Sequence, residues 1–148
     1  MSSLNSSPIF DGAQMGNCFS ETRQRVLLVE DDIATADMYR LGLEMSGYVV
    51  DVAGDGVSAL RVVIEEHKTD VVVLDLGLPR MGGIRVLAAL QETGFTADIP
   101  VIVLSNDTED FPAALGAGAI QCLTKSRTTP TELITRIRGV AAEYLRGA

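Results

Sequence analysis

The sequence predicts an α/β fold in which a five-stranded parallel sheet is covered by helices on both faces. Five short apolar runs alternate with longer stretches whose apolar residues recur at helical spacing. Right-handed crossovers between parallel strands place helices on both faces, and uninterrupted apolar runs are typical of strands covered on both sides. The runs are residues 26–29, 48–52, 71–74, 101–104 and 120–123.

The chain before the first run is expected to be a flexible leader. Residues 1–24 are rich in Ser, Asn, Gly and Gln and show no periodicity, so we expect order to begin near Arg25. A single domain would then occupy residues 25–148.

Helix signals support the alternation. In the first helix one face is shared by Ala34, Met38, Leu41 and Met45, and Gly47 stands where a C-cap is expected. The last helix begins with Thr-Pro-Thr-Glu at residues 129–132, a capping box with proline at the first helical position. Its predicted inner face contains Ile134, Ile137 and Ala141. The fourth helix should be short or mobile, because Pro112, Gly116 and Gly118 leave only about two turns of good helix formers.

Composition narrows the classes of function. The chain has 148 residues, enough for one domain of ordinary size, and 47% hydrophobic residues suffice for a sizeable core. A net charge of −8 opposes nucleic-acid binding, so we expect no direct contact with nucleic acid. Cys18 and Cys122 have neither zinc nor disulfide spacing, and the sequence shows no secretory signal or membrane-spanning run. We therefore expect a cytoplasmic protein without a membrane partner.

Polar residues follow four of the five predicted strands. They are Glu30, Asp31 and Asp32 after the first strand, Asp75 after the third, Ser105 after the fourth, and Thr124 with Lys125 after the fifth. In a doubly wound sheet the carboxyl ends of the strands meet at one edge, where ligands bind. Crowded carboxylates repel, and a divalent cation with oxygen ligands resolves the repulsion, so we expect Mg²⁺ there. We interpret Asp32 separately, as the N-cap of the first helix.

Asp75 is the most informative residue of this edge. It ends the wholly apolar run at residues 71–74, where an ionised carboxylate is costly to bury unless it is paired or binds a metal. We interpret Asp75 as a nucleophile that accepts a phosphoryl group, while Mg²⁺ and Lys125 neutralise the charge of that group. The hydroxyl of Ser105 would complement the same anion.

Four motifs at these positions resemble the response-regulator receiver family of two-component signalling. The motifs are VLLVEDD (residues 26–32), VVVLDLGLPRMGG (71–83), VIVLSND (101–107) and CLTKS (122–126). The resemblance covers about residues 25–146. It implies a flavodoxin-like sheet with strand order 2-1-3-4-5 and a receiver domain over residues 25–148.

The resemblance also implies a role for each site residue. Asp75 would be the phosphorylation site, and Ser105 and Lys125 would contact the phosphoryl oxygens. The implied Mg²⁺ ligands are Asp31 and Asp75 directly, Glu30 directly or through water, and the backbone carbonyl of Gly77. The phosphoryl donor would be a sensor histidine kinase or a histidine phosphotransfer protein, and the protein would catalyse only its own phosphorylation and dephosphorylation.

We expect a single-domain regulator, because only about two residues follow the last predicted helix. Such a protein would signal by binding a downstream protein or by passing the phosphoryl group along a relay.

Three positions depart from the family pattern. Cys122 stands where receivers usually carry Tyr or Phe, and Ser126 stands where a proline usually follows the lysine. The Lys125–Ser126 bond is therefore expected to be trans. The segment from Ser105 to Lys125 is also about two residues shorter than usual. We hypothesise that output relies on ordering of the short fourth helix rather than on an aromatic switch.

Three other classes of protein fit the sequence less well. A phosphatase of the haloacid dehalogenase type would need a general acid two residues after Asp75, and that position is Gly77. A flavin carrier would need a phosphate-binding first loop, but residues 30–32 are acidic. A receiver-like adaptor that is never phosphorylated would usually lose an acid or the lysine, and this chain keeps the set.

Two further residues have simpler interpretations than a reactive role. Cys122 could be a redox sensor, but a small apolar filler on an interior strand is the favoured interpretation. His67 is interpreted as a plain surface residue, because it has no supporting neighbours in the sequence.

Overall fold

Five strands and five α-helices alternate along the part of the chain that a computed structural model describes, residues 23–66, 68–94 and 99–147. The strands are β1 (Arg25–Val29), β2 (Val49–Ala53), β3 (Val71–Leu74), β4 (Val101–Ser105) and β5 (Gln121–Thr124). The helices are α1 (Ile33–Met45), α2 (Gly56–Glu66), α3 (Gly83–Glu92), α4 (Phe111–Gly116) and α5 (Pro130–Gly147). Short 3-10 turns lie at Thr108–Asp110 and Lys125–Arg127.

The strands form one parallel sheet with the order β2-β1-β3-β4-β5. This order and the predicted α/β class are confirmed. Each observed strand overlaps the apolar run that predicted it and differs by one residue at most at either end. Residues 1–22, most of the expected leader, lie outside the described residues.

The sheet separates two apolar cores, because successive side chains of a strand point to opposite faces. In β3, Val71 and Val73 pack on the side of α1 and α5, whereas Val72 and Leu74 pack on the side of α2 and α3. All four are at most 1% exposed. The central strands are therefore apolar on both faces, which explains why they read as continuous runs.

Helix α1 packs on a different face from the one that the sequence pattern grouped together. Its buried residues are Ala36, Tyr39 and Leu43. The four residues of the predicted face are exposed; among them Met38 is 46%, Leu41 51% and Met45 87% exposed. Apolar residues occur on both sides of this helix, so periodicity alone does not decide which side meets the sheet.

The helix ends follow their local signals. Gly47 has a left-handed φ of 98°, and the amide of Tyr48 donates to the Leu43 carbonyl at 3.1 Å, which closes α1 in a Schellman motif. At the start of α5, the Thr129 hydroxyl accepts from the amide of Glu132 at 3.1 Å. The predicted cap at Gly47 and the Thr129 half of the predicted capping box are confirmed.

Helix α4 has only six residues, and the prediction of a short helix from the proline and glycines of this segment is confirmed. A 3-10 turn precedes it. Among the residues described, none of the helices is both long and apolar enough to cross a membrane.

Candidate functional site

The strand register brings the predicted site residues to one edge of the sheet. Val29 of β1 pairs with Leu74 of β3, so the next residues, Glu30 and Asp75, leave the sheet side by side. Ser105 is the last residue of β4 and pairs with Thr124, directly before Lys125. Four separate segments of the chain therefore meet at this edge, as predicted for a doubly wound sheet.

Lys125 links two buried carboxylates at this edge. Its Nζ lies 2.7 Å from Glu30 Oε1 and 3.1 Å from Asp75 Oδ2. Glu30 and Asp75 are only 5% and 7% exposed. Burial opposes the charge of Lys125, but the hydrogen bonds to Glu30 and Asp75 outweigh it and raise the pKa of the lysine. The ammonium is therefore fully charged at neutral pH.

Asp31 completes a cluster of three carboxylates. One oxygen from each of Glu30, Asp31 and Asp75 lies within 4.8 Å of the other two, and Asp31 is exposed to solvent. Three carboxylates outnumber the single ammonium of Lys125, so negative charge remains at the edge. An all-oxygen donor set with excess negative charge fits a hard divalent cation such as Mg²⁺.

Glu30 is more constrained than a free metal ligand. While Oε1 contacts Lys125, Oε2 accepts from the amide of Asp32 at 3.0 Å. Glu30 therefore fixes both the lysine and the start of α1. Direct ligation of a cation by Glu30 would compete with these contacts, whereas Asp31 is the exposed member of the cluster.

Asp32 caps α1, as the sequence predicted. Its Oδ2 accepts from the amide of Thr35 at 2.9 Å and from the Thr35 hydroxyl at 2.6 Å. Both hydrogen bonds lower the pKa of Asp32, and the one from the Thr35 hydroxyl has the larger effect. Its carboxylate thus stabilises the helix that begins next to the acidic cluster.

The hydroxyl of Ser105 lies inside the protein. Ser105 is fully buried, and its Oγ accepts from the amide of Asp107 at 3.1 Å. The hydroxyl therefore holds the loop after β4 in place, and it lies at the end of the strand beside the acidic cluster.

The loop after β3 packs tightly around Asp75. The Gly77 amide donates weakly to Asp75 Oδ1 at 3.4 Å. A Cβ atom at Gly83 would lie 2.6 Å from the Asp75 carbonyl oxygen, so only glycine lets α3 begin there. Gly83, the second glycine after the Leu-Pro turn, thus lets the start of α3 pack against the backbone of Asp75.

Asp107 is a site neighbour that the sequence reasoning missed. A Cβ atom at Gly77 would lie 2.9 Å from Asp107 Oδ2, which places this carboxylate over the loop that follows Asp75. The available signal was an acid two residues beyond Ser105 at a strand end.

The turn after β5 is held by side chains from three parts of the chain. Asn106 Oδ1 accepts from the amide of Ser126 at 2.9 Å, and the Thr128 hydroxyl donates to the Thr124 carbonyl at 2.8 Å. The Tyr39 hydroxyl donates to the Thr128 carbonyl at 2.6 Å. Asn106 and Tyr39 were also missed from the sequence. Every described peptide bond is trans, including Lys125–Ser126, as expected.

Cys122 is half-buried against the core on the side of α2 and α3. Its Sγ contacts the Phe111 carbonyl oxygen at 3.9 Å, and burial raises the pKa of the thiol. A raised pKa disfavours the reactive thiolate, which supports the interpretation as a filler residue. The expectation of an interior strand is wrong, because β5 lies at the edge of the sheet. His67 and Cys18 lie outside the described residues.

A family model described as the response regulator receiver domain matches residues 26–138, most of the chain. The chain belongs to this receiver family. The match spans β2 to β5, all but the first residue of β1, and all of the predicted site residues, so the receiver domain includes the whole edge described above. The phosphatase and flavin-carrier alternatives receive no support from this match.

Curated relatives include two-component regulators of mycobacteria. Response regulator MprA of Mycobacterium leprae is 38% identical over 118 residues, which cover 78% of this chain and 50% of that protein. The DNA-binding response regulator MtrA of Mycolicibacterium paratuberculosis gives the same identity and the same coverage. The chain thus spans about half the length of the curated relatives it matches.

Solved structures of receiver domains share the fold. The CheY-like receiver domain protein of Methanospirillum hungatei is 26% identical with a TM-score of 0.77, covering 85% of this chain and 99% of that one. The chemotaxis response regulator CheY4 of Vibrio cholerae is 28% identical with a TM-score of 0.73, covering 80% and 98%. The CheY-like, flavodoxin-like architecture of the receiver domain is therefore confirmed.

Proposed function

We propose that this receiver domain accepts a phosphoryl group on Asp75 in a Mg²⁺-dependent reaction. The observation that carries the proposal is the shared lysine: Lys125 Nζ lies 3.1 Å from Asp75 Oδ2 inside a cluster of three carboxylates. An isolated carboxylate at a strand end would be a turn residue. A buried carboxylate with a lysine and two further acids matches the charge requirements of phosphoryl transfer.

The transfer needs little beyond positioning and charge neutralisation. An Asp75 carboxylate oxygen forms a bond to phosphorus while the bond between phosphorus and the histidine nitrogen of the donor breaks, and the imidazole then takes up a proton. Lys125 stabilises the negative charge on the transferred group, and Ser105 would donate a hydrogen bond to it. Hydrolysis of the acyl phosphate by water returns Asp75 and releases inorganic phosphate.

The residues proposed to hold Mg²⁺ are Asp31 and Asp75 directly, Glu30 directly or through water, and the carbonyl of Gly77. The donor set of three carboxylates supports this assignment. When bound, the ion supplies neutralisation of the phosphoryl oxygens. Lys125, which contacts both Glu30 and Asp75, would exchange part of its contact with Glu30 for the phosphoryl group.

We propose a histidine kinase or a histidine phosphotransfer protein as donor, docking beside the site on α1. Ile33 is 78% exposed and Met38 46% exposed, and α1 starts three residues after Glu30. Exposed apolar residues on a helix that begins beside a reactive group favour a protein partner.

The output is proposed to be phosphorylation-dependent binding of a downstream protein, or relay of the phosphoryl group, in the cytoplasm. The net charge of −8 supports the prediction that the chain itself makes no direct contact with DNA. MtrA is named a DNA-binding regulator, and this chain matches only half of it. Action as a single domain likewise stays a proposal, and the domain bounds 25–148 stay a prediction.

Labelling with acetyl phosphate tests the proposed function. Intact-mass spectrometry should show addition of one phosphoryl group in the presence of Mg²⁺, and EDTA should prevent the addition. Asp75→Asn should not be labelled, whereas Asp110→Asn, a surface variant of the same chemistry, should be labelled like the wild type.

Failure of the wild type to become labelled would favour the alternative of an adaptor that is never phosphorylated. Labelling of Asp75→Asn to the same extent as the wild type would reject Asp75 as the acceptor.

A further inference from the structure

The turn that carries Lys125 lacks the covalent restraint of a proline. Residue 126 is serine and the Lys125–Ser126 bond is trans, so the position of Lys125 depends on hydrogen bonds from surrounding side chains. Two of these bonds are local to the loops at this edge: Asn106 accepts from the Ser126 amide, and the Thr128 hydroxyl donates to the Thr124 carbonyl. The third comes from α1.

We propose that Tyr39 is a positioning residue for Lys125: its hydroxyl ties the turn after β5 to α1 and thereby fixes the lysine ammonium between Glu30 and Asp75. This inference rests on the proposed function of Lys125 as the residue that neutralises the phosphoryl group.

The contact of Tyr39 is specific and buried. The side chain is 1% exposed, and its hydroxyl lies 2.6 Å from the Thr128 carbonyl oxygen and 3.4 Å from that of Lys125. A single hydroxyl proton serves the shorter contact. Burial raises the pKa of Tyr39, so the hydroxyl remains a donor at neutral pH. The bond spans 89 residues of sequence and therefore joins two otherwise separate parts of the site.

The placement of Tyr39 couples the lysine to the acidic cluster. Glu30 and Asp31 come just before the N-cap of α1, Asp32, and the helix begins at Ile33. The amide of Asp32 donates a hydrogen bond to the Glu30 carboxylate. Tyr39 lies on the buried face of the same helix. One rigid helix thus fixes Glu30 at its start and the lysine turn along its length.

Loss of the hydroxyl should move the lysine rather than unfold the protein. Thr128 is 8% exposed, so its carbonyl would be left largely shielded from water and the turn would shift to find another partner. Misplacement of a catalytic contact by about 1 Å can reduce a rate by about a hundredfold. We expect roughly a tenfold loss here, because two side-chain bonds and the bond from the Thr128 amide to the Lys125 carbonyl still hold the turn.

The variant Tyr39→Phe tests the inference, with Tyr48→Phe as the matched control. Tyr48 is also buried and packs in the same core, but it lies outside the turn. The initial rate of labelling by acetyl phosphate should fall about tenfold in Tyr39→Phe relative to the wild type. In Tyr48→Phe the rate should stay within about twofold of the wild-type rate. Equal rates in the two variants would overturn the inference.

A double-mutant cycle separates positioning from general damage. In a Lys125→Ala background, Tyr39→Phe should cause no further loss of labelling, because both changes act through the same ammonium. A full additional loss in that background would show that Tyr39 acts independently of Lys125 and would overturn the inference.

A spectroscopic readout keeps the test independent of phosphorylation. The ¹H–¹⁵N signals of the Lys125 ammonium and of the Ser126 amide should shift in Tyr39→Phe and remain in place in Tyr48→Phe. Unchanged signals in Tyr39→Phe reject the positioning role whether or not the protein is labelled. If the wild type is not labelled but the signals shift in Tyr39→Phe, the positioning role is supported. Only the proposed phosphoacceptor function is then rejected.

Discussion

Lys125 lies closer to Glu30 than to Asp75, with Nζ 2.7 Å from Glu30 Oε1 and 3.1 Å from Asp75 Oδ2. The ammonium is therefore shared between two buried acids rather than dedicated to one. A group that binds beside Asp75 must compete with Glu30 for the lysine. The same sharing makes Lys125 important for stability as well as for the proposed phosphoryl transfer.

Replacement of Lys125 should destabilise the fold. Lys125→Ala leaves two buried carboxylates without their cation, and we expect a loss of about 2–3 kcal/mol, below the value for a fully buried pair because the lysine side chain is 18% exposed. The midpoint of urea unfolding measures this loss. Lys68→Ala, which removes the other lysine of the chain from an exposed position, is the control and should change stability little.

Excess Mg²⁺ should raise the Tm of Lys125→Ala more than that of the wild type, because the uncompensated negative charge of the variant favours the cation. An equal or smaller rise in the variant would argue against a cation site formed by these carboxylates.

Exposed residues of α1 should affect transfer from a protein donor and not from a small molecule. Met38 is 46% exposed, and Met38→Gln replaces its apolar side chain with a polar one without adding charge near the acidic cluster. We expect the rate of phosphotransfer from a phosphohistidine protein to fall several-fold and the acetyl phosphate rate to stay the same. Ile64→Gln, a similarly exposed change on α2, is the control. Equal transfer rates in both variants would exclude Met38 from the donor interface.

The decrease in the free energy of unfolding at low pH should depend on Asp32. Its pKa is lowered in the folded protein by hydrogen bonds from Thr35, so its stabilising contribution is present above the ordinary aspartate pKa of about 3.9 and is lost as the pH falls through the lower, folded value. The substitution Asp32→Asn would keep a capping side chain at this position but remove the group that titrates.

Urea midpoints measured as the pH is lowered through this window should therefore fall less steeply in Asp32→Asn than in the wild type. Parallel curves for the two proteins would contradict the assignment.

Helix α4 should become more protected when the site is phosphorylated. It has six residues, and its flanking Asp107 lies over the loop that follows Asp75, so an added anion there can reorganise the segment. We expect slower amide exchange in residues 107–119 when beryllium fluoride mimics the phosphoryl group. Exchange in the buried part of α5 is the internal reference and should not change. Unaltered exchange in residues 107–119 would count against ordering of α4 as the output.

Much of the candidate site could be predicted because the signals are local or topological. The acids, the serine and the lysine each follow an apolar run, and a parallel sheet brings those ends together whatever the details of packing. Asp32 and Thr129 could be assigned as caps for the same reason, since a cap depends on neighbours within a few residues.

The residues that were missed act over long distances in the chain. Tyr39 lay outside the predicted apolar face of α1, and its partner carbonyl lies 89 residues away. Asn106 and Asp107 stood beside a predicted site residue, but a single sequence does not show which side chain turns toward which loop.

By itself the sequence determined the five strands, the burial of the central strands β1, β3 and β4 on both faces and the identity of the charged residues at the sheet edge. These features follow from apolar periodicity and from the chemistry of parallel strands. Only the tertiary structure decided which face of α1 meets the sheet and how Lys125 is divided between Glu30 and Asp75. The physical reason is that both depend on packing between segments that are distant in sequence. Apolar residues on both sides of α1 allow either side to face the sheet, and three nearby acids allow several contacts for one lysine.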